Sequence, residues 1–434
     1  MMNYAQAREF IQETNKYGIV CGLDSIKNLM ARLGNVQEQL ALIHVAGTNG
    51  KGSVCAMLKA VLQAAGYRTG IYASPAVFEP EEIIKVNDHK ITQEEFASLA
   101  GSVQAACMDM QKEGLPHPTA FEVETAIAFC FFKEQACDYV VLETGMGGQQ
   151  DATNLITHPL CSVIVSVSRD HMAFLGSTLS EIAAAKAGII KPGCPCVCAA
   201  QKPEVMEVFK QAAAEKGSAL YATDPADIGS FSYNGLRSVY KEAGGLALSG
   251  TLALTGACQR ENLACVLKTV QLLRGLGILI PREAVQKGLA HVKLPGRMER
   301  IAAQPDFYID GAHNEGAALC LGETVKHCLA GRTVVYIIGV FADKEYEKML
   351  QILLPYATSA VTVTPLHPRA LDGRKLAQAV RKYHGTAVYM PDFVQAAEAA
   401  QKAAGTDGAV LAFGSLSYLK EIKKAVHNLP GSKA

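Results

Sequence analysis

An apolar segment followed at once by a glycine-rich loop constrains this chain more than any other feature. Residues 42–46 have the composition of a buried strand, the loop Gly47-Thr48-Asn49-Gly50-Lys51-Gly52-Ser53 follows, and residues 54–65 have helical periodicity. This order predicts a phosphate cradle, because glycines let backbone N–H groups approach a ligand and a helix N-terminus attracts anions. Lys51 then supplies a positive charge, and the Ser53 hydroxyl can reach Mg²⁺.

Short Val/Ile-rich segments alternate with helical patterns along the whole chain. The strand-like segments are residues 41–46, 138–143, 162–168, 334–339, 360–364 and 409–414. This alternation predicts an α/β fold with doubly wound, mostly parallel sheets and ligands at the carboxyl ends of the strands. The turn at Pro295-Gly296 divides a P-loop ATPase domain (residues 1–294) from a smaller Rossmann-like C-terminal domain (residues 298–434). Residues 218–255 predict an antiparallel excursion from the first domain, with Asn-Gly and Gly-Gly turns.

Composition excludes several classes of function. The 41 basic residues balance 41 acidic ones, so no global field favours nucleic acid or an anionic membrane. The 13 cysteines are scattered and predict reduced core residues, with residues 194–198 a buried strand rather than a metal site. Residues 1–9 have no apolar signal region, and no 18 apolar residues run together. We expect a soluble, cytoplasmic protein.

Two further strands end on chemically active residues. One ends on Glu143, where a carboxylate beside a phosphate loop is well placed for Mg²⁺, although such a residue is more often simply solvated. Another is predicted to end at residues 168–171, and His171 taken alone would more often be structural. The helix that follows is capped at Ser177 or Thr178 and stops at Gly188, and spacing alone makes its Lys186 a surface lysine.

Taken together, these segments resemble the folylpolyglutamate synthase/dihydrofolate synthase family of the Mur ligase superfamily. The resemblance rests on residues 44–53, 143–148, 151–154, 170–171, 186–193, 296–299, 310–314, 368–370 and 414–416, which follow the family's order over almost the whole chain. It implies that ATP phosphorylates a carboxylate of a reduced folate, and that the amine of L-glutamate displaces phosphate to form an amide. Whether dihydropteroate is also an acceptor stays open. The partners implied are small molecules, with neither nucleic acid nor a membrane, and the protein is expected to be a monomer.

The resemblance also implies roles for individual residues. The loop Gly47, Thr48, Asn49, Gly50, Lys51, Gly52 and Ser53 holds ATP, with Asn262 at the adenine, Arg297 and His313 at phosphates, and Asp310 at the ribose or an interdomain contact. Ser74, Glu143 and His171 are implied ligands of Mg²⁺ at two sites, and Lys186 a carbamylated lysine supporting the second metal. Lys51, Lys186 and His171 form the implied catalytic set. Pterin contacts are implied at Thr119, Phe121, Gln150, Asp151 and Ala152, although Phe121 could equally be a core aromatic. Closure about residues 295–297 is expected to complete the site.

Several positions depart from the family's pattern. Ala76, Glu82 and Gln149 replace residues common in the family, the segment 13–16 lacks a histidine seen in some bifunctional members, and Glu315 replaces a usual proline. All but the last lie in segments that the family uses to bind folate. The resemblance therefore supports the identity of the acceptor less strongly than it supports the use of ATP. The alternatives are a related Mur-type ligase acting on a different carboxylate, a P-loop kinase or switch, and a non-catalytic descendant. Intact Lys51, Glu143, His171 and Lys186 argue against the last.

Overall fold

The structure is a computed structural model that describes residues 2–18, 20–234, 237–243, 248–383 and 385–429. The chain divides into two compact units. The first comprises residues 1–230, 241–250 and 261–292, and the second comprises residues 231–240, 251–260 and 293–434.

The first unit is built on an eight-stranded sheet. Its strands are β1 (Leu42–Ala46), β2 (Thr69–Tyr72), β3 (Ile84–Val86), β4 (His89–Lys90), β5 (Tyr139–Glu143), β6 (Cys161–Ile164), β7 (Cys196–Cys198) and β8 (Leu220–Ala222), in the order β4-β3-β2-β5-β1-β6-β7-β8. The six strands from β2 to β8 in this order are parallel, and β3 and β4 continue the sheet antiparallel. The chain leaves β1 toward one edge of the sheet and later crosses to the other. The carboxyl end of β1 is therefore a topological switch point, where open α/β sheets bind ligands.

Helices cover both faces of this sheet and account for the apolar periodicity of the sequence. Those in chain order are α1 (Tyr4–Thr14), α2 (Asp24–Arg32), α3 (Lys51–Ala64), α4 (Gln93–Lys112), α5 (Ala120–Glu134), α6 (Met172–Leu175), α7 (Leu179–Ala187), α8 (Pro203–Glu215), α9 (Gln259–Gly275) and α10 (Arg282–His291). Helix α3 is pinned on one side by α10, where a Cβ on Gly288 would lie 2.7 Å from the backbone of Val61. The absence of a side chain at Gly288 lets α10 lie directly on the helix that follows the phosphate loop.

The second unit carries a six-stranded sheet. Its strands are β12 (Glu299–Ala302), β13 (Asp306–Ile309), β14 (Val334–Ile338), β15 (Ser359–Thr362), β16 (Ala387–Tyr389) and β17 (Ala409–Phe413), in the order β12-β13-β17-β14-β15-β16. All pairings are parallel except that of β12 with β13. Its helices are α11 (Glu315–Cys328), α12 (Tyr346–Leu353), α13 (Gly373–Tyr383), α14 (Phe393–Ala404) and α15 (Leu419–His427). The predicted α/β fold with two parallel-rich sheets is confirmed.

The excursion predicted at residues 218–255 forms a separate three-stranded sheet. Its strands are β9 (Ile228–Asn234), β10 (Arg237–Ala243) and β11 (Leu248–Leu252), in the order β11-β10-β9. The two compact units divide these residues between them. Of the predicted turns, Gly235 and the pair Gly244-Gly245 lie outside the described residues.

The strand predicted at residues 162–168 is shorter than expected. β6 ends at Ile164, because β7 pairs only with residues up to that point. Beyond it, side chains replace the strand ladder: the Gln201 amide donates to the Val165 carbonyl oxygen over 2.9 Å and accepts from the Val167 N–H over 3.1 Å. The prediction that this strand extends to residues 168–171 was therefore wrong.

The helix that carries Lys186 ends where the sequence indicated, but for a different reason. Thr178 caps α7 through a capping box with Glu181, and Gly188 is the C-cap. Gly188 has an ordinary φ of −57°. A Cβ there would collide with the backbone of Gln149. Glycine is thus needed for close approach of two backbones rather than for a left-handed turn.

The cysteines also differ in part from the sequence expectation. All 13 are free thiols, and β7 is the buried strand expected from residues 194–198. Cys21 is exposed, so the prediction that every cysteine is a core residue was wrong for it. Within the described residues, none of the helices is both long and apolar enough to cross a membrane.

Two buried tyrosines in the second unit allow a matched test of this core. The Tyr418 hydroxyl donates to the carbonyl oxygens of Phe413 (2.6 Å) and Ile337 (3.1 Å). The Tyr336 hydroxyl is buried without a hydrogen-bond partner in the described part of the chain. We expect Tyr418→Phe to cost about 1–3 kcal/mol, because its two buried hydrogen bonds are lost, whereas Tyr336→Phe should be neutral or stabilising. Urea unfolding followed by circular dichroism measures both. Equal destabilisation by the two variants would contradict this account.

Candidate functional site

The glycine loop takes a backbone shape that side chains would prevent. Gly47 has a φ of +148° and Gly50 a φ of +95°. A Cβ on Gly47 would collide with the Val165 side chain, and a Cβ on Gly50 with the amide of Asn262, whose Cγ lies 3.1 Å from that position. Helix α3 begins directly afterwards at Lys51, three residues earlier than predicted, so its first N–H groups face the loop. The loop therefore has the backbone shape that a phosphate cradle needs.

Two lysines converge on one carbonyl oxygen of this loop. The Lys51 Nζ donates to the Gly47 oxygen over 3.2 Å, and the Lys186 Nζ donates to the same oxygen over 2.8 Å. Lys186 is only 3% exposed, so it is not the surface residue that spacing suggested. Burial, and then the charge of Lys51, lower the pKa of Lys186 to about 7. Its amine is therefore substantially neutral near physiological pH.

The polar residues of the loop fasten it to the segment that follows β6. The Thr48 hydroxyl donates to the Ser168 carbonyl oxygen over 3.0 Å and accepts from the Ser168 N–H over 3.1 Å. The Asn49 amide donates to the Ser168 hydroxyl over 3.1 Å, and the Ser166 hydroxyl donates to the Asn49 carbonyl oxygen over 3.0 Å. This segment leads to Asp170 and His171. These hydrogen bonds thus fix the position of the loop relative to the predicted metal-binding residues.

The residues predicted to bind metal surround the carboxyl ends of the central strands. Glu143 ends β5, paired in register with Val45, and is 6% exposed, and the Ser53 hydroxyl is buried on the first turn of α3. Ser74 follows β2 and is half-buried. His171 has a φ of +52°, with Nε2 4.0 Å from an Asp170 oxygen. In the described ranges no three His, Cys, Asp or Glu side chains form a metal cluster. One carboxylate with hydroxyl groups still fits Mg²⁺, which keeps waters and shares its coordination with substrate phosphates.

A tight turn after β5 packs against the helix that bears Lys186. A Cβ on Gly148 would lie 2.9 Å from the carbonyl oxygens of Ala185 and Lys186. The Gln149 N–H donates to the Ala185 oxygen over 2.7 Å. The Asn154 amide spans both parts, donating to the oxygens of Gln149 (3.1 Å) and Gly188 (3.2 Å). These contacts fix the end of α7 and with it Lys186.

The predicted pterin contacts all lie within the first unit, and Phe121 lies against the same turn. Thr119 is buried as the N-cap of α5, where it pairs with Glu122. The Phe121 ring is half-buried against Gly145, where a Cβ would lie 2.6 Å from the ring edge. Gln150 is exposed, and Ala152 is buried.

Asp151, the remaining predicted pterin contact, is buried and already accepts several hydrogen bonds. Met146 N–H donates to Oδ2 over 2.7 Å, while Thr153 donates to Oδ1 from its N–H over 3.0 Å and from its hydroxyl over 2.6 Å. Burial raises the pKa of Asp151, and these donors oppose the rise.

The predicted nucleotide residues are divided between the two units. Asn262 belongs to the first unit, 4% exposed on α9 and packed against Gly50. Arg297, Asp310 and His313 belong to the second unit, where a Cβ on Gly311 would collide with the Arg297 guanidinium.

Asp310 organises this second group. It follows β13, is 8% exposed, and accepts from the N–H groups of Met298 (2.9 Å) and Ala312 (2.8 Å). Burial raises its pKa, and the charge of Arg297 opposes that rise. The His313 Nδ1 lies 2.9 Å from the Gly311 carbonyl oxygen, so both predicted phosphate residues are held beside Gly311.

Sequence reasoning assigned no role to His44 and Thr153. His44 lies in the middle of β1 with 0% exposure, and its Nε2 is 2.8 Å from the Thr153 hydroxyl oxygen. Burial lowers the pKa of His44 to about 3, so the imidazole is neutral. A polar residue inside an otherwise apolar central strand was the signal that could have identified it.

Comparisons with known proteins cover nearly all of the chain. Residues 45–227 match the family of the Mur ligase middle domain, and residues 296–416 match the Mur ligase, glutamate ligase domain. The chain is 34% identical to a dihydrofolate synthase/folylpolyglutamate synthase of Bacillus subtilis over 97% of this chain and 98% of that one. It is 31% identical to a folylpolyglutamate synthase of Lacticaseibacillus casei over 85% and 87% of the two chains. The solved structure of Mycobacterium tuberculosis folylpolyglutamate synthase complexed with ADP superposes with a TM-score of 0.89 at 29% identity, covering 99% and 100%.

Two glycines with nearly the same backbone angle test the phosphate loop. Gly50 (φ +95°) is crowded by Asn262, whereas a Cβ on Gly66 (φ +98°) would meet nothing within 4 Å. Both alanine variants incur the strain of a left-handed residue, about 1–2 kcal/mol. Only Gly50→Ala should also displace the loop, and we expect it to weaken ADP binding by about tenfold or more, a change of about 1.4 kcal/mol. Calorimetric titration with ADP distinguishes the two, and equal loss of affinity in Gly66→Ala would contradict the assignment.

Proposed function

The chain belongs to the dihydrofolate synthase/folylpolyglutamate synthase family of Mur ligases, and we propose that it joins L-glutamate to a reduced folate at the expense of ATP. The observation that carries this proposal is the convergence of Lys51 and Lys186 on the Gly47 carbonyl oxygen. It places one charged lysine and one amine of lowered pKa on a phosphate loop, in a chain that matches both Mur ligase domains. The names of its relatives do not favour the alternative of a Mur-type ligase for a different carboxylate.

The first step requires a carboxylate and a triphosphate to approach each other despite their like charges. The loop N–H groups and Lys51 would stabilise the charge that develops as the γ-phosphoryl group is transferred to the carboxylate oxygen. Bound Mg²⁺ would neutralise further phosphate charge, and we assign its ligands to Ser74, Glu143 and His171, with Ser53 beside them. Asn262, Arg297, Asp310 and His313 are assigned to the nucleotide. The attacking glutamate amine then replaces phosphate at the acyl carbon.

Lys186 is assigned a carbamate. A neutral amine attacks the carbon of CO₂, an N–C bond forms, and the nitrogen releases a proton, which leaves an anion on a side chain that was a cation. A pKa of about 7 supplies the neutral amine. The anion would remove the repulsion between Lys186 and Lys51 and give a metal an additional oxygen ligand. The second unit, which contains the match to the glutamate ligase domain, is assigned to glutamate, with the domain boundary at residues 295–297.

The proposal also covers the identity of the acceptor, the molecule that receives glutamate. Thr119, Phe121, Gln150, Asp151 and Ala152 are assigned to the pterin, because Phe121 and Asp151 both lie against the turn that follows β5. A reduced folate is the acceptor we propose, and dihydropteroate is a second one, since the Bacillus relative carries both names.

The direct test is an assay of glutamate transfer. Purified protein is incubated with ATP, Mg²⁺, labelled glutamate and either tetrahydrofolate or dihydropteroate, and the labelled pterin products are separated by chromatography. We expect label in the tetrahydrofolate product, with ADP and phosphate released in equal amounts. Omission of glutamate is the control, because a kinase or an NTP-driven switch would release phosphate without it. Absence of label from both acceptors would refute the folate assignment.

The buried Lys186 and the half-buried Lys191 give a paired test of the carbamate. Lys186→Ala should lower kcat by roughly a hundredfold or more because it removes charge stabilisation at the reacting centre. It should cost only about 0.5–1.5 kcal/mol of stability, the value of one hydrogen bond. Lys191, whose Nζ donates to the Asn154 carbonyl oxygen over 2.9 Å, is the control, and Lys191→Ala should change kcat by less than about threefold.

The carbamate itself is observed by ¹³C NMR after equilibration with labelled bicarbonate. The signal should be absent from Lys186→Ala, present in Lys191→Ala, and should decline as the pH falls below about 7, where the Lys186 amine becomes protonated. An unmodified Lys186 in active enzyme would contradict the assignment.

A further inference from the structure

A chain of buried side chains joins the phosphate-loop strand to the turn after β5. It begins at His44 on β1, whose Nε2 lies 2.8 Å from the Thr153 hydroxyl, and continues over 2.6 Å to the Oδ1 of Asp151. Asp151 then receives the Met146 N–H on Oδ2 over 2.7 Å. His44 and Thr153 are both 0% exposed. All of these hydrogen-bonded residues lie inside the first unit.

The direction of these hydrogen bonds can be worked out from their partners. The His44 Nδ1 is buried with no partner among the residues described here. A proton on that atom would leave a buried donor unsatisfied, which is costly, so the proton lies on Nε2. His44 therefore donates to the Thr153 oxygen, and the Thr153 hydroxyl proton is directed to Asp151. Every member of the chain then stabilises the ionised carboxylate.

This arrangement makes the two oxygens of Asp151 different. Oδ1 accepts from both the N–H and the hydroxyl of Thr153, whereas Oδ2 accepts, among the residues that the structure describes, from Met146 alone. Because each carboxylate oxygen has two acceptor positions, Oδ2 retains capacity for one further N–H donor. Met146 follows Gly145, against which the Phe121 ring packs. The oxygen with spare capacity and the aromatic ring thus belong to the same turn.

We propose that His44 and Thr153 are positioning residues, which hold Asp151 ionised and fix its rotamer so that Oδ2 can accept an N–H group of the pterin ring. This inference rests on the proposed function. Neither residue touches the substrate, and both act through Asp151. We therefore expect loss of these hydrogen bonds to weaken binding of the acceptor and not of ATP. The shape of the phosphate loop depends on Val165, Asn262 and Ser168 rather than on His44, Thr153 and Asp151.

Paired variants separate the hydrogen bonds from mere packing. Thr153→Val removes the hydroxyl at constant volume, whereas Thr153→Ser keeps it. His44→Leu removes the donor, whereas His44→Gln keeps an amide N–H at about the reach of Nε2. We expect the Val and Leu variants to raise the KM for tetrahydrofolate by about tenfold or more, with the KM for ATP within about threefold of wild type. The Ser and Gln variants should restore the KM for tetrahydrofolate to within about threefold of wild type.

Other patterns would overturn the proposal. If the Val and Leu variants raise both KM values together, or lower kcat with an unchanged KM for tetrahydrofolate, the chain has a general structural role. If Ser and Gln fail to restore the KM, the hydrogen bonds are not the cause. Calorimetric titration of each variant with dihydropteroate repeats the comparison without turnover. A wild-type protein that binds pterin without ligating glutamate would refute the proposed function and leave this inference standing.

A spectroscopic measurement on the wild-type protein does not depend on any variant folding. Histidine labelled with ¹⁵N reports which ring nitrogen carries the proton. We expect a neutral His44 throughout the physiological pH range, because burial lowers its pKa to about 3, with the proton on Nε2 because Nδ1 has no partner among the described residues. A proton on Nδ1, or a titration of His44 in this range, would overturn the proposal.

Discussion

The site depends on a single carbonyl oxygen, that of Gly47. It accepts from Lys51 and from Lys186, which places the two nitrogens within about 6 Å of each other. Two unit charges at that separation repel by about 3 kcal/mol at the effective dielectric constant of about 20 that suits protein sites. The carbonyl dipole offsets part of this repulsion, and the lowered pKa of Lys186 removes more of it. An anionic ligand relieves the remainder, so the loop by itself favours phosphate.

Holding two lysines on one oxygen requires close backbone approaches that only glycine allows. Gly47 lies against Val165 and Gly148 against the carbonyl oxygens of Ala185 and Lys186, and Gly188 faces Gln149. A methyl group at Gly47 would displace the phosphate loop from Val165, and one at Gly148 or Gly188 would separate the turn after β5 from the end of α7. Glycines that the sequence suggests only as loop residues are therefore required in the fold for close contacts.

The sequence predicted the strands, the loop and the α/β class because periodicity and glycine spacing are local properties. Spacing alone suggested a surface position for Lys186, because an isolated lysine at that helix position usually lies there, whereas the family resemblance implied a place in the site. The hydrogen bond to Gly47 shows that the side chain is buried at the loop. The early end of β6 was missed for a related reason. Gln201 replaces the strand ladder from more than 30 residues away in the chain, which no local pattern records. Asp310 was placed correctly at a strand end by pattern, but its backbone partners required the structure.

The segment 151–154 shows why polar residues persist in so apolar a core. Asp151 holds the turn through Met146, Thr153 bonds His44 on β1, and Asn154 bonds Gly188 at the end of α7. Each side chain thus reaches a different element that carries part of the site. Apolar side chains could fill this volume, but they would not distinguish one register of these elements from another, since dispersion is non-directional. Hydrogen bonds of 2.6–3.2 Å do make that distinction. The buried polar groups therefore contribute geometry more than stability, and the chemistry of the site depends on that geometry.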